Sequence, residues 1–181
     1  MRRCGVLVCV AFLVTSAAVQ AVGELDRAEV VRTAMTVVGA AGGLAVGAFI
    51  GISFSGDATD TPLSNALVLT IPVAAVGAAT AALAARWIAD VALRAEPGPL
   101  LAVLEGAGLG LLGGAFVGGI VFPLNFAIAH RVLEVPEGYW GRFDSTQAVG
   151  MGVVSGAFWG GLFGAVAGAL VVPLISLYMG Y

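Results

Sequence analysis

Residues 106–121, which read GAGLGLLGGAFVGGIV, carry a glycine at every fourth position within an uncharged, apolar stretch. Residues four apart lie on one face of an α-helix, so this spacing predicts a helix with a stripe that has no side chains. Such a stripe lets a second helix approach backbone to backbone. In lipid there is little hydrophobic drive between helices, so close van der Waals contact of this kind holds them together. The stretch therefore predicts a membrane helix that packs closely against a neighbour.

The same spacing recurs in two other parts of the chain, each time around a phrase that begins GAF: GAFIG at 47–51, GAFVG at 114–118 and GAFWG at 156–160. We call the three sets of glycines the first, second and third ladder and take them as the candidate helix-packing residues. They are Gly39, Gly43, Gly47 and Gly51 (first), Gly106, Gly110, Gly114 and Gly118 (second), and Gly152, Gly156, Gly160, Gly164 and Gly168 (third).

The second ladder follows the first at a constant offset of 67 residues, as from Gly39 to Gly106. Two predicted membrane crossings separate them, so both ladders run in the same direction. This favours a parallel repeat of a two-helix unit, rather than the inverted repeat of many transporters. The stretch between the two ladders uses alanine in the packing role, at Ala81 and Ala85 after Gly77.

Composition places the whole chain in a membrane. Of its 181 residues, 60% are apolar and only 10% are charged, whereas soluble domains have about 25% charged residues. The mean hydropathy is +1.03. These values exclude a soluble globular domain, a disordered chain and a disulfide scaffold. The net charge of −3, without a basic patch, argues against nucleic acid as a partner, so the lipid bilayer is the first expected one.

Five uncharged stretches are long enough to cross a bilayer, which takes about 20 apolar residues in a helix; the first is 4–23 and the other four lie within 24–181. We expect one transmembrane domain over 24–181 and an all-α integral membrane protein with a four-helix glycine-ladder bundle. Pro173 is expected to end the last helix, because proline removes a helical donor and its ring clashes with the preceding turn. The predicted helices cover about 33–54, 64–93, 100–130 and 146–172.

The segment 1–23 has two interpretations. Two arginines precede an apolar stretch that ends in small and polar residues, as in a signal peptide cleaved after Ala18 or Ala21. The alternative is a retained signal-anchor helix, which fits the distribution of arginines better. Either one predicts an integral protein of the plasma (inner) membrane.

Polar candidates for a site are few, namely Asn125, His130 and Glu105. An ionisable residue inside the membrane is a functional hypothesis by default, but here Glu105 and His130 stand at the ends of their uncharged stretch. Asn125 follows Pro123 by two residues. Its amide is expected to bond the carbonyl that proline leaves unpaired, or a neighbouring helix, with a ligand or ion contact as the alternative.

Two further sets of residues also carry expectations. Thr70 and Pro72 are expected to form a similar kink in the second predicted helix. Arg86, Asp90 and Arg94 stand four apart, which predicts a ladder of charges along one helix face.

Enzyme patterns are missing from the sequence. The single histidine excludes paired-histidine zinc motifs, and the glycines at 106–110 belong to an apolar packing stripe rather than a nucleotide loop. We therefore expect no enzymatic activity, no cofactor and no metal. The leading hypothesis is a non-catalytic structural or assembly subunit, with other membrane subunits or a homo-oligomer as partners. The alternative is a channel or transporter for a small solute.

The glycine-laddered four-helix layout of residues 33–172 resembles the mitochondrial inner-membrane preprotein translocase channel family. The resemblance is confined to glycine spacing. The charged residues of that family's signature do not occur at matching spacing, so no function is carried over.

Overall fold

The structure is a computed structural model that describes residues 26–56, 63–95, 98–132 and 145–180. Each of these ranges forms one long helix. The segment 1–23, with its choice between signal peptide and signal anchor, lies outside the described residues. The helices are α1 (Arg27–Gly56), α2 (Leu63–Ala95), α3 (Pro99–Val132) and α4 (Ser145–Met179).

Each helix is long enough to cross a bilayer. With 30 to 35 residues, each extends about 45 to 53 Å at about 1.5 Å per residue, against a hydrocarbon core of about 30 Å. The apolar spans are Arg27–Ile52, Thr70–Ala95, Leu100–Ile128 and Thr146–Met179. These four helices indicate a membrane protein and confirm the all-α class.

The first helix starts earlier than its predicted start at residue 33. The backbone N–H groups of Glu29 and Val30 donate to the carbonyl of Asp26, at 2.9 and 3.0 Å, so the helix begins directly after an aspartate. Aspartate is a favoured residue at this position. The charges at 27–32 therefore belong to the helix instead of a loop.

The last helix continues through Pro173 to Met179, so the predicted end at 172 is wrong. Proline removes one donor, but ending a helix in lipid would leave several backbone groups without partners, and continuation costs less. The actual end follows at Gly180, which has a φ of +88° and whose N–H donates to the carbonyl of Ser176 at 3.0 Å. A glycine in this left-handed conformation is a common helix end.

The four helices form two antiparallel hairpins, α1–α2 and α3–α4. The main contact between the two hairpins is that of α2 with α3. Apolar clusters join the hairpins at both ends of the bundle. One end holds the starts of α1 and α3 with the ends of α2 and α4, and we call it the Arg32 end. The opposite end is called the Asn125 end. The clusters are Val31, Ala89, Leu93 and Ile175, then Ala92, Ala102 and Val172, both at the Arg32 end, and Ile50, Val73 and Val121 at the Asn125 end.

Candidate functional site

The second and third ladders face each other across α3 and α4. A Cβ atom added to any glycine of the second ladder would collide with the carbonyl oxygen of a glycine of the third. The reverse also holds for the four glycines that face them, so the two backbones are in direct contact over more than three helical turns. The opposed pairs are Gly106 with Gly168, Gly110 with Gly164, Gly114 with Gly160, and Gly118 with Gly156.

Gly152, the first member of the third ladder, faces a different environment. A Cβ at Gly152 would lie 2.7 Å from the Phe126 ring and 2.9 Å from Cα of Pro123. The glycine pairing therefore ends where α3 changes from small residues to proline and aromatic ones.

The first ladder packs against α2. A Cβ at Gly43 would collide with the carbonyl oxygen of Gly77, and one at Gly47 would lie 2.6 Å from the carbonyl oxygen of Val73. At the two ends of this ladder, Gly39 faces Ala81 and Gly51 faces Thr70. Alanine thus replaces glycine on α2 where the two helices leave slightly more room.

The phenylalanines of the three GAF phrases point away from these contacts. Phe49, Phe116 and Phe158 are 71%, 54% and 64% exposed. On α4, the exposed Trp159 ring lies edge-on to Phe158 at 5.4 Å and stacks on Phe163 at 6.0 Å between centroids. The glycine stripes therefore form contacts between helices of the same chain, and the surface toward the lipid carries large apolar side chains.

One charged cluster lies at the Arg32 end. Nε of Arg32 on α1 donates to Oδ1 of Asp90 on α2 at 2.8 Å, and its Nη1 lies 3.1 Å from Oε2 of Glu29. The Arg32 and Asp90 side chains are both about one-third exposed. Asp90 is thus bonded across the hairpin, whereas the sequence predicted that it would join Arg86 and Arg94 in a ladder along one helix.

The opposite end holds buried polar groups without hydrogen bonds. Asn125 is 0% exposed, and neither its Oδ1 nor its Nδ2 has a partner within the described part of the chain. Oγ1 of Thr70 is buried and unpartnered in the same way. The expected bond from Asn125 to the carbonyl freed by Pro123 is therefore not formed. Each such group costs about 1 to 3 kcal/mol when it stays unsatisfied.

Thr80 shows the ordinary behaviour of a threonine in such a helix. Its hydroxyl donates to the carbonyl of Val76 at 2.8 Å, one turn earlier in α2. Thr70 lies in the same helix but makes no such bond. The two threonines thus differ in their hydrogen bonding while sharing their helix.

The other predicted site residues stand apart from these clusters. Glu105 is half-buried near the start of α3, beside the second ladder. His130 lies in the last turn of α3, and its side chain is outside the described residues. Among the described residues, no group of three or more histidine, cysteine or acidic side chains is arranged to hold a metal ion.

Sequence reasoning missed the Arg32–Asp90 pair. The signal was present, because Arg32 precedes one uncharged stretch and Asp90 follows the next, and an antiparallel hairpin brings those two positions to the same end. Comparisons with protein-family models, curated proteins and solved structures find no match to this chain.

Proposed function

We propose that this chain is a non-catalytic multi-pass membrane protein that acts as a structural or assembly subunit. The backbone contact between the second and third ladders supports this proposal most, because it makes α3 and α4 a close-packed unit with no space between them for a substrate. The first ladder does the same for α1 and α2. The close packing within each hairpin leaves the outer surface and the interface between the two hairpins for specific recognition.

The proposed partners are the lipid bilayer and other membrane subunits or a second copy of the chain, in the plasma (inner) membrane. The exposed rings of Phe158, Trp159 and Phe163 support a contact on α4, since aromatic residues are enriched at protein interfaces. The three rings form one continuous aromatic surface.

The same proposal includes an origin by duplication of one helical hairpin. The constant offset between the first and second ladders supports it. The antiparallel pairing supports it as well, because Gly43 faces Gly77 in the first hairpin and Gly110, its equivalent, faces Gly164 in the second. A duplicated hairpin would place the two units side by side with the same orientation in the bilayer.

Purification from native membranes in a mild detergent, followed by native mass spectrometry, tests the assembly role. We expect a complex of defined stoichiometry, and a double change of Trp159 and Phe163 to alanine should dissociate it. Phe49→Ala, which removes from another helix a ring about as exposed as that of Phe163, is the control. A chain that is monomeric under these conditions would contradict the proposal.

A small-solute channel or transporter is the second candidate. It is favoured by one observation: Asn125 is buried between the hairpins, and its amide has no hydrogen-bond partner among the described residues. Stopped-flow light scattering on proteoliposomes tests it with water, urea and glycerol as solutes. Transport would give faster volume changes than empty liposomes show, and Asn125→Leu should abolish the difference. Rates equal to those of empty liposomes for all three solutes would rule this candidate out for them.

A further inference from the structure

Asn125 and Thr70 lie at the same level of the bundle. Both are close in sequence to members of one apolar cluster, which joins Val73 of α2 and Val121 of α3. Thr70 stands three residues before Val73, and Asn125 stands four residues after Val121. Because α2 and α3 are antiparallel, these steps lead toward the same membrane surface, by about 4.5 and 6 Å at about 1.5 Å per residue.

The side of α3 that carries Asn125 faces the first hairpin. Val117, Val121 and Ile128 all pack in the cluster that also contains residues of α1 and α2. Asn125 lies on the same helical stripe, because it follows Val121 by four residues and precedes Ile128 by three. The amide is therefore enclosed between the hairpins rather than turned toward lipid, as its complete burial requires.

Thr70 reaches this region from the α1–α2 interface. A Cβ at Gly51 of α1 would lie 2.6 Å from Cα of Thr70 and 2.9 Å from its Oγ1. The hydroxyl is thus covered by the α1 backbone, and yet it has no hydrogen-bond partner among the described residues. It does not bond a carbonyl of its own helix as the Thr80 hydroxyl does, so among the described residues nothing occupies it and it is available to another partner.

We propose that Asn125 and Thr70 form a neutral hydrogen-bonding site between the two hairpins, which takes a water-sized, uncharged molecule that both donates and accepts hydrogen bonds. The amide contributes two N–H donors and a carbonyl acceptor, and the hydroxyl contributes one donor and two lone pairs. Buried polar groups of this kind are commonly satisfied by a water molecule that makes about three hydrogen bonds.

The ligand is uncharged because no side chain that the structure describes provides a charge at this level. The ion pair of Arg32 and Asp90 lies at the opposite end of the bundle. An ion without a counter-charge or a complete set of ligands is strongly disfavoured in a buried site. The inference does not rest on the assembly role, and it also holds for a closed site that conducts nothing.

Water is the probe for the test, and NMR of the full chain in lipid nanodiscs is the method. The sequence has two asparagines, Asn65 and Asn125, so labelling with ¹⁵N-asparagine gives two side-chain amide signals. An Asn65→Gln variant leaves only the Asn125 signal. We expect a cross peak between water and this side-chain amide in a rotating-frame Overhauser experiment. A resolved Asn125 amide without a water cross peak would overturn the proposal.

Two valine variants then test whether Thr70 shares the bound molecule. Thr70→Val should remove the water cross peak or shift the Asn125 amide signal. Thr80→Val is the matched control, because it removes a hydroxyl from the same helix that is already bonded to its own backbone. If both variants leave the Asn125 amide and its water cross peak unchanged, the shared site is wrong. The first measurement needs neither valine variant, so it stands even if one of them fails to fold.

Discussion

Gly114 and Gly160 stand opposite each other near the middle of α3 and α4, and each leaves no space for a Cβ beside the other's carbonyl oxygen. Neither residue faces a side chain at this point. The contact is between two backbones, which maximises van der Waals contact in a solvent where helices gain little from burying apolar surface. The close approach thus depends on glycine at both positions.

The second ladder can be tested with the smallest possible side chain. Gly110→Ala would drive a methyl group into the carbonyl of Gly164, and overpacking of this kind costs about 1 to 3 kcal/mol. Gly108→Ala is the control, because a Cβ at Gly108 meets no atom within 4 Å. The control should be neutral or stabilising by up to about 1 kcal/mol, since alanine favours helix.

Reversible unfolding in mixed micelles with increasing sodium dodecyl sulfate measures both changes. Equal free energies of unfolding for the two variants would mean that the second ladder does not pack tightly against α4 at Gly110.

The first ladder permits a stronger substitution. Gly47→Leu should separate α1 from α2, because the added side chain begins 2.6 Å from the Val73 carbonyl oxygen. Gly42→Leu is the matched control, since Gly42 is exposed and has no atom near its Cβ position. Distances between spin labels on α1 and α2, measured by pulsed electron paramagnetic resonance, should lengthen for Gly47→Leu alone. An unchanged distance distribution in Gly47→Leu would refute the close packing of this hairpin.

The Arg32–Asp90 pair should stabilise the first hairpin. We expect Arg32→Gln and Asp90→Asn each to lower the free energy of unfolding, and the double variant to lose less than the sum, because each single change already breaks the same ion pair. The effect should shrink at high salt, which screens partly exposed charges. Arg94→Gln, at an exposed position on the same helix as Asp90, is the control. Strict additivity in the double-mutant cycle would show that the two side chains do not interact.

Tryptophan fluorescence tests the orientation of α4 and α2 toward lipid. Trp159 lies near the middle of α4 and Trp87 lies near the end of α2, and both are about half exposed. Lipids brominated deep in the acyl chain should quench Trp159 more strongly than Trp87, and lipids brominated close to the headgroup should do the reverse. Variants that keep one of the three tryptophans, with phenylalanine at the other two, separate the signals. A Trp159 emission that neither lipid quenches would contradict its exposure to the bilayer.

The sequence anticipated the four helices because length and the absence of charge are local properties. It failed at helix ends, where the outcome depends on competing local effects. The first predicted helix began at 33, after the charges at 27–32, but Asp26 starts a helix that carries them. Pro173 suggested an end, but a helix in lipid continues past one missing donor until a glycine can take a left-handed conformation.

The sequence by itself determined that this is a membrane protein with backbone-accessible stripes, because hydropathy and four-residue spacing follow directly from the order of residues. Only the tertiary structure decided which stripe meets which. It paired the second ladder with the third, left Phe158 on the outside and bonded Asp90 to Arg32. It also enclosed Asn125 with no hydrogen-bond partner in the part of the chain that the structure describes. The reason is that periodicity defines the faces of one helix, whereas the register and orientation between helices depend on all four packing together.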